Sequence, residues 1–301
     1  MKILVTGSNG IIGSELVKQL ATFYPESEIY ELNRTKNLNN NKSLSIDLLN
    51  TSYQELANIL NIIKPKLLFH AAWYTDHSDY LTSEINILWE KATIQLIDAF
   101  YNCGGFKFIG LGSSIEYDWN SQSPFIENSL NLNGNNFLYG KSKLNVYLHL
   151  TKLKGVSYQW GRVFFVFGPG QSKNRLIPLI INSAINGVEK IKVNRNLKRD
   201  YISTIEIAKQ VLMMSKCNYS GSVNICSGNS PSIDELIQMI ENIIKKRVLI
   251  SDEIYNDKFE IKEIAGCNNL IKKYYPSYEY NKNEITLDMT KTIEYYKISS
   301  N

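Results

Sequence analysis

Tyr139 and Lys143 stand four positions apart in the segment LYGKSKL, residues 138–144. A spacing of four is close to one helical turn, so the two side chains would lie on one face of a helix. A tyrosine has a pKa of about 10 and transfers protons poorly at neutral pH unless nearby positive charge favours its phenolate. Because a lysine one turn away supplies such charge, the pair predicts general acid or base chemistry on a substrate oxygen.

The same spacing recurs at Tyr278 and Lys282, so spacing alone does not identify a catalytic pair. The two pairs differ in the residues that precede them. Ser113 and Ser114 follow an apolar run roughly 25 residues before Tyr139, and nothing comparable precedes Tyr278. We therefore interpret Tyr139 and Lys143 as the chemical pair and Tyr278 as its structural counterpart.

A glycine-rich turn comes after the first apolar run. KILV is followed at once by TGSNGIIG, in which Gly7, Gly10 and Gly13 recur every three residues before an amphipathic helical pattern. Residues without a Cβ let the backbone approach a pyrophosphate, whose charge then rests on the N–H groups that begin the helix. An ordinary glycine turn is the alternative, but the place between a first strand and a first helix favours dinucleotide binding.

The elements that would position these residues alternate along the chain. Apolar runs predict strands at SEIYEL, KLLFHAA, FKFIGLGSS and YQWGRVFFVF, and helical patterns occur near 51–63, 84–101 and 139–153. This alternation predicts an α/β fold with a Rossmann-like, doubly wound parallel sheet covered by helices. Ligands of such sheets bind at the carboxyl ends of the strands, where the NR, HAAW and GSS motifs stand.

Composition argues against several classes of function. The chain has 301 residues, is 44% hydrophobic and carries a net charge of +4 without a basic block, so nucleic acid is not an expected partner. The four cysteines are far apart and lack the spacing of a metal site, so we expect free thiols and no metal. The sequence shows neither a signal-peptide pattern nor an apolar run of membrane-spanning length, and we expect a cytoplasmic protein with no membrane partner.

Taken together, these motifs resemble the extended short-chain dehydrogenase/reductase family, in particular its NAD(P)-dependent sugar-nucleotide epimerase and dehydratase group. The resemblance covers nearly the whole chain. It rests on TGSNGIIG, IDLLN, HAAW, the asparagine at 86, LGSSIEY and YGKSK, and downstream on RVFFVFGPGQ, RLIP, RDYI and GSVNICSGNSPSIDEL. It implies a dinucleotide-binding domain over 1–165 and a smaller α/β domain over 166–301 that mainly binds the nucleotide sugar, with part of 200–226 returning to the first domain.

The resemblance also implies roles for single residues. Ser113, Tyr139 and Lys143 would be catalytic; Ser113 is preferred over Ser114 because the family's serine or threonine stands four residues before the tyrosine of this motif, here Tyr117. The residues expected to contact NADP or NAD are Gly7, Asn9, Gly10, Ile11, Ile12, Gly13, Asn33, Arg34, Asp47, Leu48, Ala71, Ala72, Asn86, Tyr139, Lys143 and Phe164. Those expected to contact the nucleotide sugar are Tyr74, Ser113, Ser114, Phe165, Arg175 and Arg199.

One substrate contact departs from the family pattern. Many members have an asparagine where Phe165 stands, and that amide contacts the substrate diphosphate. Arg175 and Arg199 offer guanidinium forks that suit phosphate oxygens, although surface ion pairs are the alternative. Tyr74, Asp76 and the loop near 118–137 are further candidates for the pocket, and His77 is a weaker one.

The two residues after the serine narrow the choice of reaction. Dehydratases of the family carry an acidic pair there, where this chain has Ser114 and Ile115. Members that combine epimerisation with reduction use a cysteine at the place of Ile115 and a histidine after the GP motif, and this chain has neither. Two enzymatic interpretations remain, a reductase of a 4-keto-6-deoxy sugar nucleotide and a 4-epimerase that keeps its cofactor. We favour the reductase; a cofactor-binding sensor without catalysis is a third possibility.

The second predicted strand bears on the choice of cofactor. It ends in ELNRTK, which offers Arg34 and Lys36 where an NAD site has a carboxylate for the ribose hydroxyls. Arg34 could pair with a 2′-phosphate, which favours NADP. If the strand ended two residues sooner, Glu31 would become that carboxylate and NAD would be favoured.

The helices near 84–101 and 139–153 carry apolar residues at helical spacing, including Ile87, Ile94, Ile97, Leu144 and Leu148. Core burial would explain them adequately. In the family, however, the same two helices often pair across a two-fold axis, so the resemblance implies a homodimer.

Overall fold

The computed structural model describes residues 1–129, 137–187, 190–251 and 261–299. The chain divides into two compact units. Unit 1 comprises the described parts of 1–118, 130–163 and 208–223, and unit 2 those of 119–129, 164–207 and 224–301. Residues 130–136, which belong to the loop expected near the substrate, lie outside the described ranges.

The regular elements follow the predicted alternation. The strands are β1 (Lys2–Thr6), β2 (Glu28–Asn33), β3 (Ser43–Ser45), β4 (Leu67–His70), β5 (Lys107–Ser113), β6 (Ser157–Val163), β7 (Phe165–Phe167), β8 (Lys198–Arg199), β9 (Tyr201–Ser203), β10 (Gly221–Ile225) and β11 (Glu263–Ile264). The helices are α1 (Ile11–Phe23), α2 (Tyr53–Ile63), α3 (Ile85–Asn102), α4 (Leu138–Lys152), α5 (Leu176–Asn186), α6 (Thr204–Ser215), α7 (Ile233–Ile244), α8 (Asn269–Tyr274) and α9 (Lys282–Ser299), with a short 3₁₀ helix at Ser114–Glu116.

A seven-stranded sheet in the order β10-β6-β5-β4-β1-β2-β3 forms the centre of unit 1. β1 pairs in parallel with both β2 and β4, and the pairs β2–β3, β4–β5 and β5–β6 are also parallel. From the β3 edge, the first six strands follow the 3-2-1-4-5-6 order of doubly wound dinucleotide-binding sheets. The topology confirms the predicted Rossmann-like fold and places its switch point between β1 and β4.

Burial explains why these strands read as continuous apolar runs. Ile3, Leu4 and Val5 of β1 are each 0% exposed, which requires cover on both faces of the sheet. Helices α2 and α3 supply part of that cover through buried residues such as Leu56 and Phe100. The core therefore holds the carboxyl ends of β1, β4 and β5 in fixed positions.

The apolar run YQWGRVFFVF does not form one strand as predicted. It is divided after Val163, where β6 ends, and Phe165–Phe167 forms β7, which pairs in parallel with β9 of unit 2. Between them, the Phe164 N–H donates to the Ile225 carbonyl oxygen at 3.1 Å. The prediction failed because apolar residues continue across the change of pairing partner, so periodicity contains no sign of it.

In unit 2, the buried Asp200 between β8 and β9 is a hub of hydrogen bonds. Its carboxylate accepts from the Ser227 hydroxyl at 2.6 Å and from the backbone N–H groups of Ser227, Gly228 and Gly266. Burial raises the pKa of Asp200 to about 6, and these donors act in the opposite direction. A single carboxylate thus joins three separate segments of the unit.

None of the helices in the described ranges combines the length and apolar character needed to cross a bilayer. Cys103, Cys217, Cys226 and Cys267 are free thiols. No group of three or more His, Cys, Asp or Glu residues within those ranges is arranged to hold a metal ion.

Candidate active site

The glycine-rich turn after β1 has the close backbone approach that a dinucleotide site requires. Gly7 adopts a φ of +72°, in the left-handed region, and a Cβ there would lie 2.6 Å from the backbone nitrogen of Ala72. A Cβ on Gly13 would lie 2.1 Å from the Gly7 carbonyl oxygen. Only glycine lets the turn, the first turn of α1 and the segment after β4 come this close.

The start of α1 suits a phosphate group. Gly10 precedes the helix in an extended conformation, makes no side-chain cap, and no acidic residue stands in the first helical turn. The first N–H groups of a helix lack partners within the helix and carry the positive end of its dipole. The turn, together with Ile11 and Ile12, therefore fits the diphosphate of a nicotinamide dinucleotide.

Glu31 is engaged by the protein itself. The residue is 2% exposed, and its carboxylate accepts the Ser8 hydroxyl at 2.5 Å and the Asn40 side-chain amide at 2.6 Å. Asn37 donates to the same carboxylate, and Asn33 donates to the Ser8 hydroxyl at 2.6 Å. The strand continues past Glu31 to Asn33, so the condition under which Glu31 would follow the strand end is not met.

The segment after β2 is joined to the glycine-rich turn. Asn9, within the turn, donates its side-chain amide to the Thr35 carbonyl oxygen at 2.9 Å. Arg34 and Lys36 on either side of that contact are exposed. Two cationic side chains consequently flank a backbone position held by the turn.

Two further residues expected to contact the cofactor lie after β3. The Asp47 carboxylate accepts the Leu49 N–H at 3.2 Å and the Asn50 amide at 2.7 Å, which closes a local turn. Leu48 is buried at 4% exposure. Ala71, directly after β4, donates its N–H to the carbonyl oxygen of Thr6 at 3.1 Å, which keeps this segment beside the end of β1.

Helix α4 carries Tyr139 and Lys143, and both side chains are buried. The Lys143 Nζ lies 5.7 Å from the centroid of the Tyr139 ring and donates to the Leu111 carbonyl oxygen of β5 at 2.6 Å. It also lies 3.9 Å from the centroid of the Trp73 ring. Burial lowers the pKa of Lys143 to about 7, while the charge of Glu116 raises it, so this amine changes charge near neutral pH.

Trp73, which sequence reasoning missed, lines the same cluster. Its ring meets Tyr139 edge-on at 6.4 Å, and its indole N–H donates to the Asn86 side-chain oxygen at 2.9 Å. The Asn86 amide nitrogen donates to the carbonyl oxygens of Tyr80 and Ser83. Both ends of the Asn86 side chain are therefore engaged within unit 1, and its contact with a cofactor stays a prediction.

Ser113 ends β5, and Ser114 begins the 3₁₀ helix. The Ser113 Oγ accepts the N–H of Ile115 at 3.3 Å, and as a hydroxyl it retains a hydrogen that it can donate. Ser113 is half-buried, whereas Ser114 is 4% exposed. This difference is consistent with Ser113 as the serine that meets the substrate, which stays a prediction.

Glu116 is the second residue of the site that sequence reasoning missed. It is 0% exposed, and its carboxylate accepts the Ser113 N–H at 2.7 Å, the Trp160 indole N–H at 3.0 Å and the Arg162 Nε–H at 2.9 Å. Tyr117 joins the group because Arg162 donates to its hydroxyl at 3.2 Å. The signal in the sequence was a charged residue between Ile115 and Tyr117, two positions after the serine pair.

Gly112 in β5 is explained by this group of side chains. A Cβ at Gly112 would lie 2.3 Å from the Glu116 Oε1 and 2.3 Å from the Trp160 Nε1. The strand therefore needs a residue without a side chain at position 112, between Leu111, which binds the Lys143 amine, and Ser113. The IGLGSS pattern reflects packing by the neighbouring strand β6.

His70 and His149 are engaged by side chains of the protein itself. His70 is buried at the end of β4, with its ring nitrogens 2.7 Å from the Thr6 Oγ1 and 3.1 Å from the Thr93 Oγ1. Burial, reinforced by the charge of Lys143, lowers the pKa of His70 to about 3, so its ring is neutral at neutral pH. His149 lies on α4 and contacts Asp98 at 2.7 Å.

Tyr278 and Lys282 do not share a helical face. Tyr278 precedes α9, which begins at Lys282. The Tyr278 hydroxyl donates to Glu206 within unit 2 at 2.7 Å. A structural hydrogen bond thus accounts for this tyrosine, in agreement with its choice as the counterpart of Tyr139.

Phe165 and Arg199, two of the predicted substrate residues, lie together in an aromatic cluster of unit 2. Its ring lies 6.0 Å from that of Trp119 and 5.6 Å from that of Tyr201, and the Arg199 guanidinium lies 5.7 Å away. Arg199 is 7% exposed and donates to backbone carbonyl oxygens of β8 and of residue 261, so it is not a surface ion pair. Arg175 precedes α5 and is half-buried.

The two remaining predicted residues, Tyr74 and Phe164, lie in different units of the chain. Tyr74, in unit 1, donates its hydroxyl to Asp79 at 2.6 Å, and this hydrogen bond raises the pKa of the phenol to about 12. Phe164, in unit 2, is buried at 4% exposure. Contact of either side chain with a ligand stays a prediction.

Most of the chain is similar to proteins of a known family. Residues 3–226 match the model of the NAD dependent epimerase/dehydratase family. Mouse dTDP-D-glucose 4,6-dehydratase is 23% identical over 269 residues, which span 81% of this chain and 73% of the mouse protein.

Two solved structures have a similar fold over nearly the whole of this chain. UDP-N-acetylglucosamine 4-epimerase from Methanobrevibacter ruminantium, in complex with UDP-N-acetylmuramic acid, is 25% identical, has a TM-score of 0.84, and the match covers 100% of this chain and 99% of that one. UDP-glucose 4-epimerase from Thermus thermophilus, in complex with NAD, shares the fold with a TM-score of 0.80 at 16% identity, over 99% of each chain.

Proposed function

Because the chain belongs to the NAD dependent epimerase/dehydratase family, we propose that it is an NAD(P)H-dependent reductase of a nucleotide-linked keto-sugar. The substrate would be a 4-keto-6-deoxy hexose or a related sugar, as in deoxysugar and polysaccharide biosynthesis. The observation that carries this proposal is the burial of Tyr139 and Lys143 on one face of α4 in a unit that also holds a dinucleotide-type glycine turn. Ser114 and Ile115, where dehydratases have an acidic pair, argue against dehydration.

The proposed chemistry assigns one task to each residue of the set. When bound, a reduced nicotinamide would supply hydride to the carbonyl carbon. Tyr139 gives its phenolic proton to the carbonyl oxygen, so that the ketone becomes an alcohol. The Lys143 amine stabilises the phenolate that remains, and Ser113 donates a hydrogen bond that holds the sugar oxygen towards Tyr139.

A 4-epimerase that retains its cofactor is the second candidate. The same serine, tyrosine and lysine would serve it, and the similar solved structures include 4-epimerases of UDP-sugars. The two functions differ in whether the cofactor is exchanged in each cycle. A sensor that binds cofactor without catalysis is the third candidate, but it would have no chemical reason to keep the three residues together.

We propose NADP(H) as the preferred cofactor. Glu31 is occupied by Ser8, Asn37 and Asn40, so the carboxylate is committed to holding the loop after β2. Arg34 is exposed and stands directly after the residue that ends β2, and its guanidinium suits a 2′-phosphate. NAD, which the similar epimerase from Thermus thermophilus binds, is the alternative.

We further propose that unit 1 binds the dinucleotide and that unit 2 mainly binds the nucleotide sugar. In unit 2, the Arg199 and Arg175 guanidinium groups would contact the diphosphate, and the ring of Phe165 would pack against the substrate in place of the asparagine that many members have. The protein would act as a cytoplasmic homodimer.

The test of the reaction mixes purified protein with NADPH or NADH and a panel of nucleotide-linked 4-keto-6-deoxy sugars while nicotinamide absorbance is followed. We expect loss of absorbance with one substrate. The rate should be about 10²- to 10⁴-fold lower in Tyr139→Phe. Tyr278→Phe makes the same chemical change in the counterpart pair and should keep its activity.

Other outcomes would identify the rivals. Interconversion of intact nucleotide sugars without added cofactor would establish the 4-epimerase. Binding of cofactor without turnover of any substrate would favour the sensor, and a near-normal rate in Tyr139→Phe would remove this tyrosine from the mechanism.

A substitution of Arg34 tests the proposed preference for NADP(H). Arg34→Ala should weaken NADPH binding by about tenfold or more, as expected for a lost charge-assisted phosphate contact, and leave NADH binding nearly unchanged. Lys18→Ala, an exposed cation on α1, controls for the loss of surface charge. Tighter binding of NADH than NADPH by the unaltered protein would overturn the preference.

A further inference from the structure

A carboxylate lies at the centre of unit 1 where the proposed mechanism has no use for one. Glu116 is 0% exposed and is paired with Arg162, whose side chain is also 0% exposed, at 2.9 Å. Burying two charges is costly, and an ion pair of this kind is weak grounds for stability, because apolar side chains of similar volume often serve as well. Its place beside the serine and lysine of the site calls for another explanation.

The first connection runs to the serine. Glu116 closes a capping box on the 3₁₀ helix, in which the Ser113 Oγ accepts a backbone N–H of the helix while the Glu116 Oε1 accepts the Ser113 N–H at 2.7 Å. The backbone and the side chain of Ser113 are thereby fixed at the point where β5 ends. A carboxylate is suited to this because charge-assisted hydrogen bonds are shorter and stronger than neutral ones.

The second connection runs to the lysine. Glu116 accepts the indole N–H of Trp160, and the Lys143 Nζ lies 5.8 Å from the centroid of that same ring. The amine also donates to Leu111, two residues before Ser113 on β5. The carboxylate and the amine therefore share one fully buried neighbour, in a region where charges are weakly screened.

We propose that Glu116 is a positioning residue of the active site, whose buried carboxylate fixes Ser113 and supplies the negative charge that faces the Lys143 amine. Arg162 donates to the Glu116 Oε2, and the Trp160 indole nitrogen lies 3.0 Å from both carboxylate oxygens. These two residues hold the carboxylate in place. The inference rests on the proposed catalytic roles of Ser113 and Lys143, but its test needs no substrate.

The charged and titratable groups that face Lys143 come from several elements. Tyr139 lies on the same helix, His70 on β4 and Glu116 on the 3₁₀ helix, and Arg162 of β6 is paired with Glu116. The His70 pKa of about 3 keeps that ring neutral over the range in which Lys143 titrates. Of these groups, Glu116 is the one whose charge favours the protonated amine.

The experiment follows the Lys143 Cε resonance against pH by NMR in protein labelled with ¹³C-lysine, with the resonance assigned by its loss in Lys143→Met. We expect the titration midpoint to fall by roughly one unit in Glu116→Gln, because the charge that favours the ammonium is gone. The Ser113 N–H should also exchange faster with solvent in that variant. Glu26→Gln makes the same chemical change at an exposed carboxylate of unit 1, and its midpoint should stay close to that of the unaltered protein.

A second variant covers the case in which Glu116→Gln does not fold. Glu116→Gln combined with Arg162→Met removes both buried charges together, a change that proteins often tolerate, and it should lower the midpoint as well. An unchanged midpoint in either folded variant, or equal shifts in Glu116→Gln and Glu26→Gln, would overturn the proposal. Because these readouts come from the resting protein, failure of the substrate panel would leave them interpretable.

Discussion

Burial determines the chemistry of the Lys143 amine. The side chain is 3% exposed, and its ammonium form is held by a backbone carbonyl oxygen and an aromatic face in place of water. Desolvation therefore favours the neutral amine, and the pKa falls to about 7. A lysine in the unfolded chain titrates at about 10.4, so the unfolded state binds more protons between the two values.

The sign of the resulting pH dependence is fixed by that difference. Stability rises with pH wherever the unfolded state binds more protons, so the unaltered protein should gain unfolding free energy relative to Lys143→Met from about pH 7 to about pH 10. The limiting slope for one proton is about 1.4 kcal/mol per pH unit. Denaturant unfolding of both proteins at several pH values measures it.

The matched control for this prediction is Lys141→Met, which removes an exposed lysine from the same helix. Parallel stability curves for the unaltered protein and Lys143→Met across this range would show that the amine is not desolvated as described.

Single residues also mark the limit of sequence-based prediction here. Spacing was enough to place Tyr139 and Lys143 on one helical face, since helical geometry is local. Trp73 and Glu116 were missed because their contacts join segments distant in the chain, and a residue type alone does not reveal which distant partner it meets. The end of β2 at Asn33 placed Glu31 inside the strand, a boundary that the sequence had left open.

Local signals likewise explain the start of α2. Ser52 precedes the helix, its hydroxyl accepts the Glu55 N–H, and the Glu55 carboxylate accepts the Ser52 N–H. This reciprocal pair satisfies two N–H groups that a helix start would otherwise leave to water. The same motif begins α7 of unit 2, with Ser232 and Glu235.

Removing the cap should therefore weaken unit 1 measurably. Ser52→Ala is expected to lower the free energy of unfolding by about 1 kcal/mol, and Ser52→Gly by only a few tenths of that. Chemical denaturation of the three proteins measures the difference. A stability for Ser52→Ala equal to that of the unaltered protein would mean that water replaces the cap without loss.

Elements were predictable where a hydrophobic pattern began and ended with a change of composition. The predicted helix near 51–63 is α2, and the predicted strand KLLFHAA contains β4. The prediction of one strand across Val163 and Phe164 failed because a single apolar run supplies strands to two different sheets. Pairing is a property of neighbouring strands, and no local pattern records it.

At the scale of the whole molecule, exposed apolar residues on α3 bear on assembly. Of the predicted apolar residues, Ile87 is 39% exposed, whereas Ile97 and Leu144 are buried. Leu88, the neighbour of Ile87, is 52% exposed. Core burial accounts for Ile97 and Leu144 but not for the exposed pair. The exposed pair is consistent with the proposed homodimer, in which α3 and α4 would meet their copies.

We expect a dimer in solution for the unaltered protein and a monomer for Leu88→Glu, because a buried, unpaired carboxylate would oppose association. Solution scattering measures the molecular mass directly. Phe106→Glu alters another exposed apolar residue of unit 1, 63% exposed, and should leave the mass unchanged. A monomer before any substitution would end the dimer hypothesis.

The position of Trp73 gives the protein an optical property of its own. The indole lies 3.9 Å from an amine that changes charge near neutral pH, and its ring stacks on Trp89 at 6.0 Å. A charge that appears or disappears beside an indole shifts the energy of its excited state, so we expect the intrinsic fluorescence to change with pH as Lys143 titrates. The active site would then report its own protonation state without any added dye.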